Sequence, residues 1–359
     1  MKDRIMFILL LFAPIALAAE WLHWSPVVIF VTSALAIVPL AGFLGDATEA
    51  LAAKTGPRIG GLLNATLGNA AELIITIMAI RAGQMALVTA SIIGSILGNV
   101  LLVLGAAVLF GGIKHGIQRF DREQAGVDAT MLFLAAIAIS VPSLFNAAIE
   151  PNTVKVEWLS VTTAIVMLGI YVLSIGYILF GRHPQPEEAG PAAPPPAPEQ
   201  HGPHWSLSVS LGVLAVSVAA IALFSEFLVG AVEPVTEQLG FSAFFVGIIL
   251  IPIIGNVAKH VVAVEVALKD HMELSLNIAL GSSLQIALFV APLLVLISPL
   301  LGHPFVLEFN TFELIALVSA SVIGALVAID GKSNWLEGAM LLAVYLILGI
   351  AFFFLPNMI

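Results

Sequence analysis

Runs of about 20 consecutive apolar residues recur from one end of the chain to the other. A helix of that length spans the hydrocarbon core of a membrane. Of the 359 residues, 60% are hydrophobic and only 10% are charged, whereas soluble domains carry about 25% charged residues. Because the runs are continuously apolar rather than alternating, they indicate helices and not a membrane β-barrel. The sequence therefore predicts an all-α, polytopic membrane protein.

Eleven transmembrane helices can be placed on these runs. The expected limits are 5–22, 26–50, 60–81, 84–112, 127–147, 157–181, 206–232, 239–268, 272–300, 310–329 and 334–356. The first run resembles a secretory signal, but it continues to Leu22 without a convincing cleavage site, so we interpret it as a retained helix.

A proline-rich segment at 183–205 separates the sixth helix from the seventh. Its composition suits an extended, solvated tether rather than a packed core. The expected organisation is an N-terminal helix (1–25), a first unit of five helices (26–182), this cytoplasmic linker and a second unit of five helices (206–359).

The positions of the basic residues favour one orientation. Cytoplasmic loops of membrane proteins are enriched in Lys and Arg. With the N-terminus inside, only Arg81 and Lys155 fall outside, and Lys259 falls within a helix. The remaining basic residues all fall on the cytoplasmic side: Lys2, Arg4, Lys54, Arg58, Lys114, Arg119, Arg122, Arg182, Lys269 and Lys332. We therefore expect a multi-pass protein of the cell (inner) membrane, with a cytoplasmic N-terminus and an external C-terminus.

Several classes of function can be set aside. The chain has no cysteine, so disulfides, thiol nucleophiles and cysteine metal sites are excluded. It carries a net charge of -10 and shows no basic surface typical of nucleic-acid binding. No His-Glu-x-x-His cluster of a membrane metallohydrolase is present. We expect a transporter rather than an enzyme, without a cofactor.

An internal repeat relates the two halves. Residues 68–72 (Gly-Asn-Ala-Ala-Glu) match residues 255–259 (Gly-Asn-Val-Ala-Lys) at an offset of 187, and the same offset relates Gly94 to Gly281 and Ser95 to Ser282. Five helices separate the copies, an odd number, so the repeats have opposite orientations in the membrane. Inverted repeats of this kind place a binding site near the midplane and support alternating access.

The repeat motif carries groups that suit a hard cation. Asn69 and Glu72 lie three residues apart and share a helix face, and their amide and carboxylate supply oxygen ligands. An ionisable residue at membrane depth is costly unless it is used or paired. A purely structural polar group is the other interpretation of Glu72.

Polar residues continue on the helix that follows each motif. Ser91, Ser95 and Asn99 are spaced four apart and form one stripe, and the second half offers Ser282, Ser283 and Gln285. The amides need partners in a nearly dry interior, although packing alone could explain each serine.

Three further carboxylates, Glu49, Glu226 and Glu233, lie near the ends of the second and seventh helices. They form either part of a cation entry or gate, or ordinary interfacial carboxylates.

These motifs resemble the cation/proton exchanger family, the calcium/proton branch of the cation/calcium exchanger superfamily. The resemblance covers almost the whole chain. It rests on Ala-Thr-Glu at 47–49, the run at 60–73, Gly-Ser-Ser-Leu-Gln at 281–285, and Asp-Gly-Lys-Ser-Asn-Trp-Leu-Glu-Gly at 330–338.

The resemblance implies one helix plus two inverted five-helix repeats, and antiport of Ca²⁺ or a similar divalent cation against H⁺. In that family, one glutamate from each repeat faces the other and binds either calcium or protons. Carried over to this sequence, the resemblance implies that Glu72 binds both the cation and the proton. Oxygen atoms of Asn69, Asn256, Ser95 and Ser282 would join it at the metal, and Asn99 and Gln285 would line the pathway.

The second copy departs from the family pattern, which has Glu-His where this chain has Lys259-His260. The formal charge of the facing pair changes from -2 to 0, which favours an ion pair between Glu72 and Lys259. Three explanations stay open. Lys259 neutralises Glu72 and leaves a transport-inactive protein; it takes part in an altered proton coupling; or the ion uses other oxygens, such as those of Glu265. His260 is either a proton relay or a structural polar group.

The sequence thus predicts an antiporter whose partners are the lipid bilayer and a divalent cation. A transport-silent scaffold or sensor and a passive channel are the rival functions. The oligomeric state is not predicted.

Overall fold

The structure is a computed structural model that describes residues 2–148, 153–180 and 205–355. Eleven membrane helices, numbered α1 to α11, account for most of it. Their limits are Lys2–Leu9 with Phe12–Trp21 (α1), Pro26–Gly56 (α2), Ile59–Arg81 (α3), Met85–His115 (α4), Arg122–Ala148 (α5), Thr153–Phe180 (α6), Leu207–Leu239 (α7), Ala243–Leu268 (α8), Met272–Leu301 (α9), Thr311–Ala328 (α10) and Trp335–Phe354 (α11). Within the described ranges, α2 to α11 are the ten helices long and apolar enough to span a membrane.

The N-terminal helix differs from the single helix expected over 5–22. It is divided at Leu10 and Leu11 into two short pieces. Pro14 lacks a backbone N–H and cannot donate to the carbonyl of Leu10, which accepts the N–H of Ala13 at 3.1 Å instead. The apolar helical stretch Ile5–Trp21 is therefore shorter than the ten full spans.

Two helices extend further into polar sequence than the apolar runs indicated. Helix α5 begins at Arg122 because the Asp121 carboxylate accepts the backbone N–H groups of Glu123 and Gln124, at 2.8 and 3.1 Å. Helix α7 continues to Leu239 and ends where Gly240 adopts φ 76°, a left-handed conformation that glycine tolerates. Apolar patterning marks the membrane-embedded part of a helix and not these polar turns.

Helix α3 is interrupted near its middle. Regular helix ends at Leu67 and resumes at Ala70, and Asn69 between them has φ -116° and ψ 27°. A break leaves backbone groups that must be satisfied within the protein. The Tyr171 hydroxyl of α6 donates to the carbonyl of Ala65 at 2.7 Å, so a side chain from another helix stabilises the interruption.

The helices that follow the two motifs share a second irregularity. Helix α4 forms a π-helical segment at Gly98–Val103 and α9 forms one at Ile286–Val290. The offset of 187 relates residues 98–103 to 285–290, so the two segments occupy equivalent places in the inverted repeats. Such segments occur frequently at functional sites. A third lies in α8 at Val246–Leu250.

Close helix crossings bring the repeats together. A Cβ atom at Gly94 of α4 would collide with the carbonyl oxygen of Ile248 of α8. Only glycine allows the two backbones to approach this closely. The crossing joins the polar helix of the first repeat to the motif helix of the second.

Three interhelical loops on one face of the molecule contact one another. Strands β1 (Gln118–Arg119) and β2 (Lys332–Ser333) pair antiparallel, with Gln118 opposite Ser333. Beside them, Lys114 Nζ donates to the carbonyl of Leu268 at 2.8 Å. The loops after α4, α8 and α10 therefore lie on one face, as expected for helices that cross the membrane in alternation. Apart from Trp205, the predicted linker at 183–205 lies outside the described residues.

Candidate functional site

The polar residues of the two motifs meet near the middle of the membrane helices. Asn69 and Glu72 come from α3, Asn256 and Lys259 from α8, and Ser282 and Gln285 from α9. Asn69, Glu72, Asn256 and Ser282 are buried. Asn69 thus lies within hydrogen-bond distance of Lys259 and Gln285, residues more than 180 positions away in sequence.

Asn69 is the hub of this cluster. Its amide nitrogen donates to Gln285 Oε1 at 2.6 Å, and its amide oxygen accepts from Lys259 Nζ at 2.6 Å and from Ser282 Oγ at 2.9 Å. Because Asn69 lies at the break in α3 rather than inside a regular turn, its side chain can reach both α8 and α9. The break therefore positions the first amide of the site.

Glu72 lies in the first turn of the helical segment that starts at Ala70. The partial positive charge at a helix N-terminus stabilises a carboxylate there. Glu72 Oε1 lies 3.2 Å from Lys259 Nζ, whereas Oε2 is buried and has no hydrogen-bond partner within the described part of the chain. The carboxylate packs against Gly255, where an added Cβ would lie 3.3 Å from Glu72 Cγ.

Lys259 of α8 reaches this cluster from a partly exposed position. Its side chain is 33% exposed, against 3% for that of Glu72. The ammonium contacts Asn69 Oδ1 and Glu72 Oε1, which are oxygen atoms of the type that a metal cation would use. The ion pair between Glu72 and Lys259 expected from the sequence is present, and its formal charge is zero.

The amide of the second copy of the motif, Asn256, lacks within the described ranges the hydrogen bonds that Asn69 makes. Asn256 is 1% exposed, yet neither its amide nitrogen nor its amide oxygen has a hydrogen-bond partner among the residues described. The same holds for Ser91 Oγ, Ser95 Oγ and Asn99 Nδ2 of α4. Buried polar atoms are normally paired, so each of these atoms is a candidate contact for a polar or charged ligand.

The other predicted residues lie apart from these contacts. His260 is partly buried, and its Nε2 has no partner in the described ranges. Glu49, Glu226 and Glu233 are exposed, with Glu49 towards the C-terminal end of α2 and the other two in the C-terminal half of α7. Their roles as relay or entry residues stay predictions.

Glu265 lies on an exposed part of α8 and pairs with Lys269 at 2.9 Å. A contribution from its carboxylate to the buried cluster, the third explanation raised by the sequence, therefore has no geometric support.

Some features of the site were not predicted from the sequence. The direct bond between Asn69 and Gln285 and the π-helical segments next to Asn99 and Gln285 have no signature in the apolar pattern. Among the described residues no group of three His, Cys, Asp or Glu side chains could hold a metal. In the cluster around Asn69 the one carboxylate is that of Glu72, and the other oxygens, those of Asn69, Ser282 and Gln285, are neutral.

Comparison with known proteins decides the family. A family model described as sodium/calcium exchanger protein matches residues 25–180 and 209–354. The chain belongs to the sodium/calcium exchanger protein family. Its sequence is 45% identical to a Ca²⁺/H⁺ antiporter of Aphanothece halophytica, over 99% of this chain and 98% of that protein. It is 40% identical to the Ca²⁺/H⁺ antiporter ChaA of Bacillus subtilis, over 98% of this chain and the full length of that protein.

Solved structures agree with this assignment. The structure of native YfkE matches with a TM-score of 0.84 and 37% identity, over 98% of this chain and all of that chain. The crystal structure of the H⁺/Ca²⁺ exchanger CAX matches with a TM-score of 0.70 at 15% identity, over 98% of this chain and 92% of that chain, and supports the fold alone. The predicted exchanger fold and the predicted family resemblance are confirmed.

Proposed function

We propose that the protein is a secondary antiporter that exchanges Ca²⁺ for H⁺ across the cell membrane by alternating access, through the site around Glu72. The observation that supports this proposal best is a buried carboxylate oxygen, Glu72 Oε2, that has no hydrogen-bond partner in the described ranges. The Glu72 side chain packs against Gly255, the neighbour of Asn256, whose buried amide also has no described partner. The names of the relatives at 40 and 45% identity point to the same exchange.

The chemistry of the side chains fits a calcium ion. Calcium takes six to eight oxygen ligands and tolerates irregular geometry. Glu72 Oε2, Asn256 Oδ1 and Ser95 Oγ are buried oxygens without described partners. Asn69 and Ser282 would contribute two more oxygens once Lys259 and Ser282 release the Asn69 amide. Water would complete the shell.

Exchange of the cation with protons follows because both bind to the same carboxylate, that of Glu72. Glu72 either holds a proton or ligates the cation, so binding of one ligand requires release of the other. We propose that the transporter changes the side to which the site opens with either the cation or a proton on Glu72. We propose that the inverted repeats expose the site to each side in turn.

The orientation rests on the distribution of basic residues. Ten of the thirteen lie on the side of the N-terminus in the predicted topology. We therefore propose a cytoplasmic N-terminus, an external C-terminus and a cytoplasmic linker between the repeats.

Calcium uptake into everted membrane vesicles, energised by a pH gradient, tests the proposal. We expect uptake by the protein as it stands and its loss in Glu72→Gln, which keeps the shape of the side chain but removes the charge. Glu265→Gln is the matched control, because Glu265 is an exposed carboxylate on the helix that faces Glu72. Uptake that persists in Glu72→Gln would remove Glu72 from the mechanism.

A further inference from the structure

The oxygens that contact Lys259 are those that a transported cation would need. The ammonium lies 2.6 Å from Asn69 Oδ1 and 3.2 Å from Glu72 Oε1. An ammonium group has three donors and no acceptor, so towards these oxygens it behaves as a compact cation. The ammonium therefore presents a positive charge to the same oxygens that would ligate a metal cation.

The two motif amides, Asn69 and Asn256, differ in their hydrogen bonding. Around Asn69, every amide atom is hydrogen-bonded. In the described ranges the Asn256 amide has no partner, and neither has Glu72 Oε2. The ammonium thus satisfies the half of the site built around Asn69 and makes no hydrogen bond to the Asn256 amide.

We propose that Lys259 is a tethered counter-cation that fills the Asn69 half of the site when no substrate is present. A divalent cation binds by displacing the ammonium, which turns outwards. Residue 259 thereby sets the affinity and the selectivity of the site for divalent cations. This inference rests on the proposed function, since it specifies how the same site receives its cation.

The position of the side chain permits such a displacement. One third of the Lys259 side chain is exposed, whereas the Glu72 side chain is almost fully buried. The flexible four-carbon stem of a lysine can carry its head group from a buried contact to water.

Competition by a tethered charge lowers the affinity for a divalent ion. The ion must break two hydrogen bonds of the ammonium and bind near a positive charge that remains attached to α8. Removing that charge while keeping an unbranched side chain should therefore strengthen binding. A unit charge a few ångströms away is worth at least a tenfold change in an equilibrium constant at an intermediate dielectric.

Equilibrium binding of ⁴⁵Ca²⁺ to the purified full-length protein in detergent measures this effect. We expect the Kd for Ca²⁺ to fall by about tenfold or more in Lys259→Met and in Lys259→Gln. Lys269→Met is the control, because Lys269 is an exposed lysine on the loop side of α8, paired with Glu265; its Kd should not change. Circular dichroism and size-exclusion chromatography confirm that the variants remain folded.

Equal or weaker Ca²⁺ binding in both Lys259 variants, or the absence of binding in them and in the unsubstituted protein, would overturn the proposal. The flux assay is separate from this one. Tighter binding in Lys259→Met together with no proton-driven flux in any variant would reject the proposed antiport and leave the counter-cation role standing.

Amine labelling of the unsubstituted protein gives a second readout, which needs no variant. An acylating reagent followed by peptide mass spectrometry reports the accessibility of each lysine. We expect Ca²⁺ to increase the labelling of Lys259 several-fold and to leave Lys269 unchanged. Labelling of Lys259 that is unchanged or reduced by Ca²⁺ would contradict displacement of the ammonium.

Discussion

The two copies of the Gly-Asn motif begin with the same two residues, but they differ in backbone structure and in the hydrogen bonding of the Asn side chain. At the first copy α3 is interrupted and the Asn69 amide makes three hydrogen bonds. At the second copy the helix runs without interruption from Ile251 to Leu268, and the Asn256 amide has no described partner. Leaving a buried polar group unpaired costs about 1–3 kcal/mol. We infer that the first copy holds the site together, whereas the second copy is available to a ligand.

Residues outside the motif explain why only the first helix breaks there. In α3 the Tyr171 hydroxyl donates a hydrogen bond to the carbonyl of Ala65, which precedes the break. The position equivalent to Ala65 in the second repeat is Pro252, just after the π-helical segment Val246–Leu250. Proline lacks an N–H and its ring conflicts with the carbonyl four residues earlier, here that of Ile248. Helix α8 therefore becomes irregular one turn before its motif.

Exchanging Asn69 for alanine should produce the largest effect on stability. Asn69→Ala removes one hydrogen-bond partner from each of Lys259, Ser282 and Gln285, although Lys259 keeps Glu72. We expect the free energy of unfolding of the Ca²⁺-free protein to fall by about 2–4 kcal/mol, measured as a loss of thermal stability in detergent. A change below about 0.5 kcal/mol would show that Asn69 is not the structural hub.

The same substitution in the second copy should act on binding instead. Asn256→Ala removes an amide that has no described partner, so we expect the stability of the Ca²⁺-free protein to change by less than about 1 kcal/mol. We expect the affinity for Ca²⁺ to drop by about tenfold, because one oxygen ligand is lost. Thermal unfolding with and without Ca²⁺ checks both parts. Equal destabilisation by Asn69→Ala and Asn256→Ala would remove the contrast between the two copies.

A glycine in the second copy positions the carboxylate of the first. In Gly255→Ala the new Cβ would lie 3.3 Å from Glu72 Cγ, so the carboxylate must shift slightly. We expect Ca²⁺ flux in vesicles to fall by about threefold to tenfold, since catalytic and transport sites are sensitive to sub-ångström displacement. Gly230→Ala on α7, where the added Cβ meets open space, should leave the flux unchanged.

The smallest expected effect concerns the support of the break in α3. Tyr171→Phe removes the hydroxyl that donates to Ala65 and keeps the aromatic ring that stacks on Phe289 at 5.3 Å. We expect a loss of about 1 kcal/mol in the free energy of unfolding and little change in the affinity for Ca²⁺. Thermal unfolding measures it, and an unchanged stability would mean that the break needs no such support.

Much of this architecture could be predicted from the sequence, because apolar length and the repeat offset are properties of the chain itself. They located the membrane helices and predicted the pairing of Glu72 with Lys259. The joint role of Asn69, Asn256 and Ser282 in one cation site stays a prediction. The interruption of α3, the bond from Asn69 to Gln285 and the π-helical segments were not predicted, since each depends on a partner from a distant helix. Pro252 and Pro292, each just after a π-helical segment, are the one local signal that could have indicated two of the three segments.

Proton movement driven by calcium in liposomes containing only the purified protein tests the central proposal most directly. Coupling between two ligands is reciprocal, so an imposed Ca²⁺ gradient must move H⁺ in the opposite direction. We predict that adding Ca²⁺ outside causes proton efflux, reported by an internal pH dye, and that Glu72→Gln abolishes both the Ca²⁺ entry and the proton efflux. Calcium entry without proton efflux would contradict antiport and indicate a passive channel. Neither movement at any Ca²⁺ concentration would indicate an exchanger fold that Lys259 has silenced.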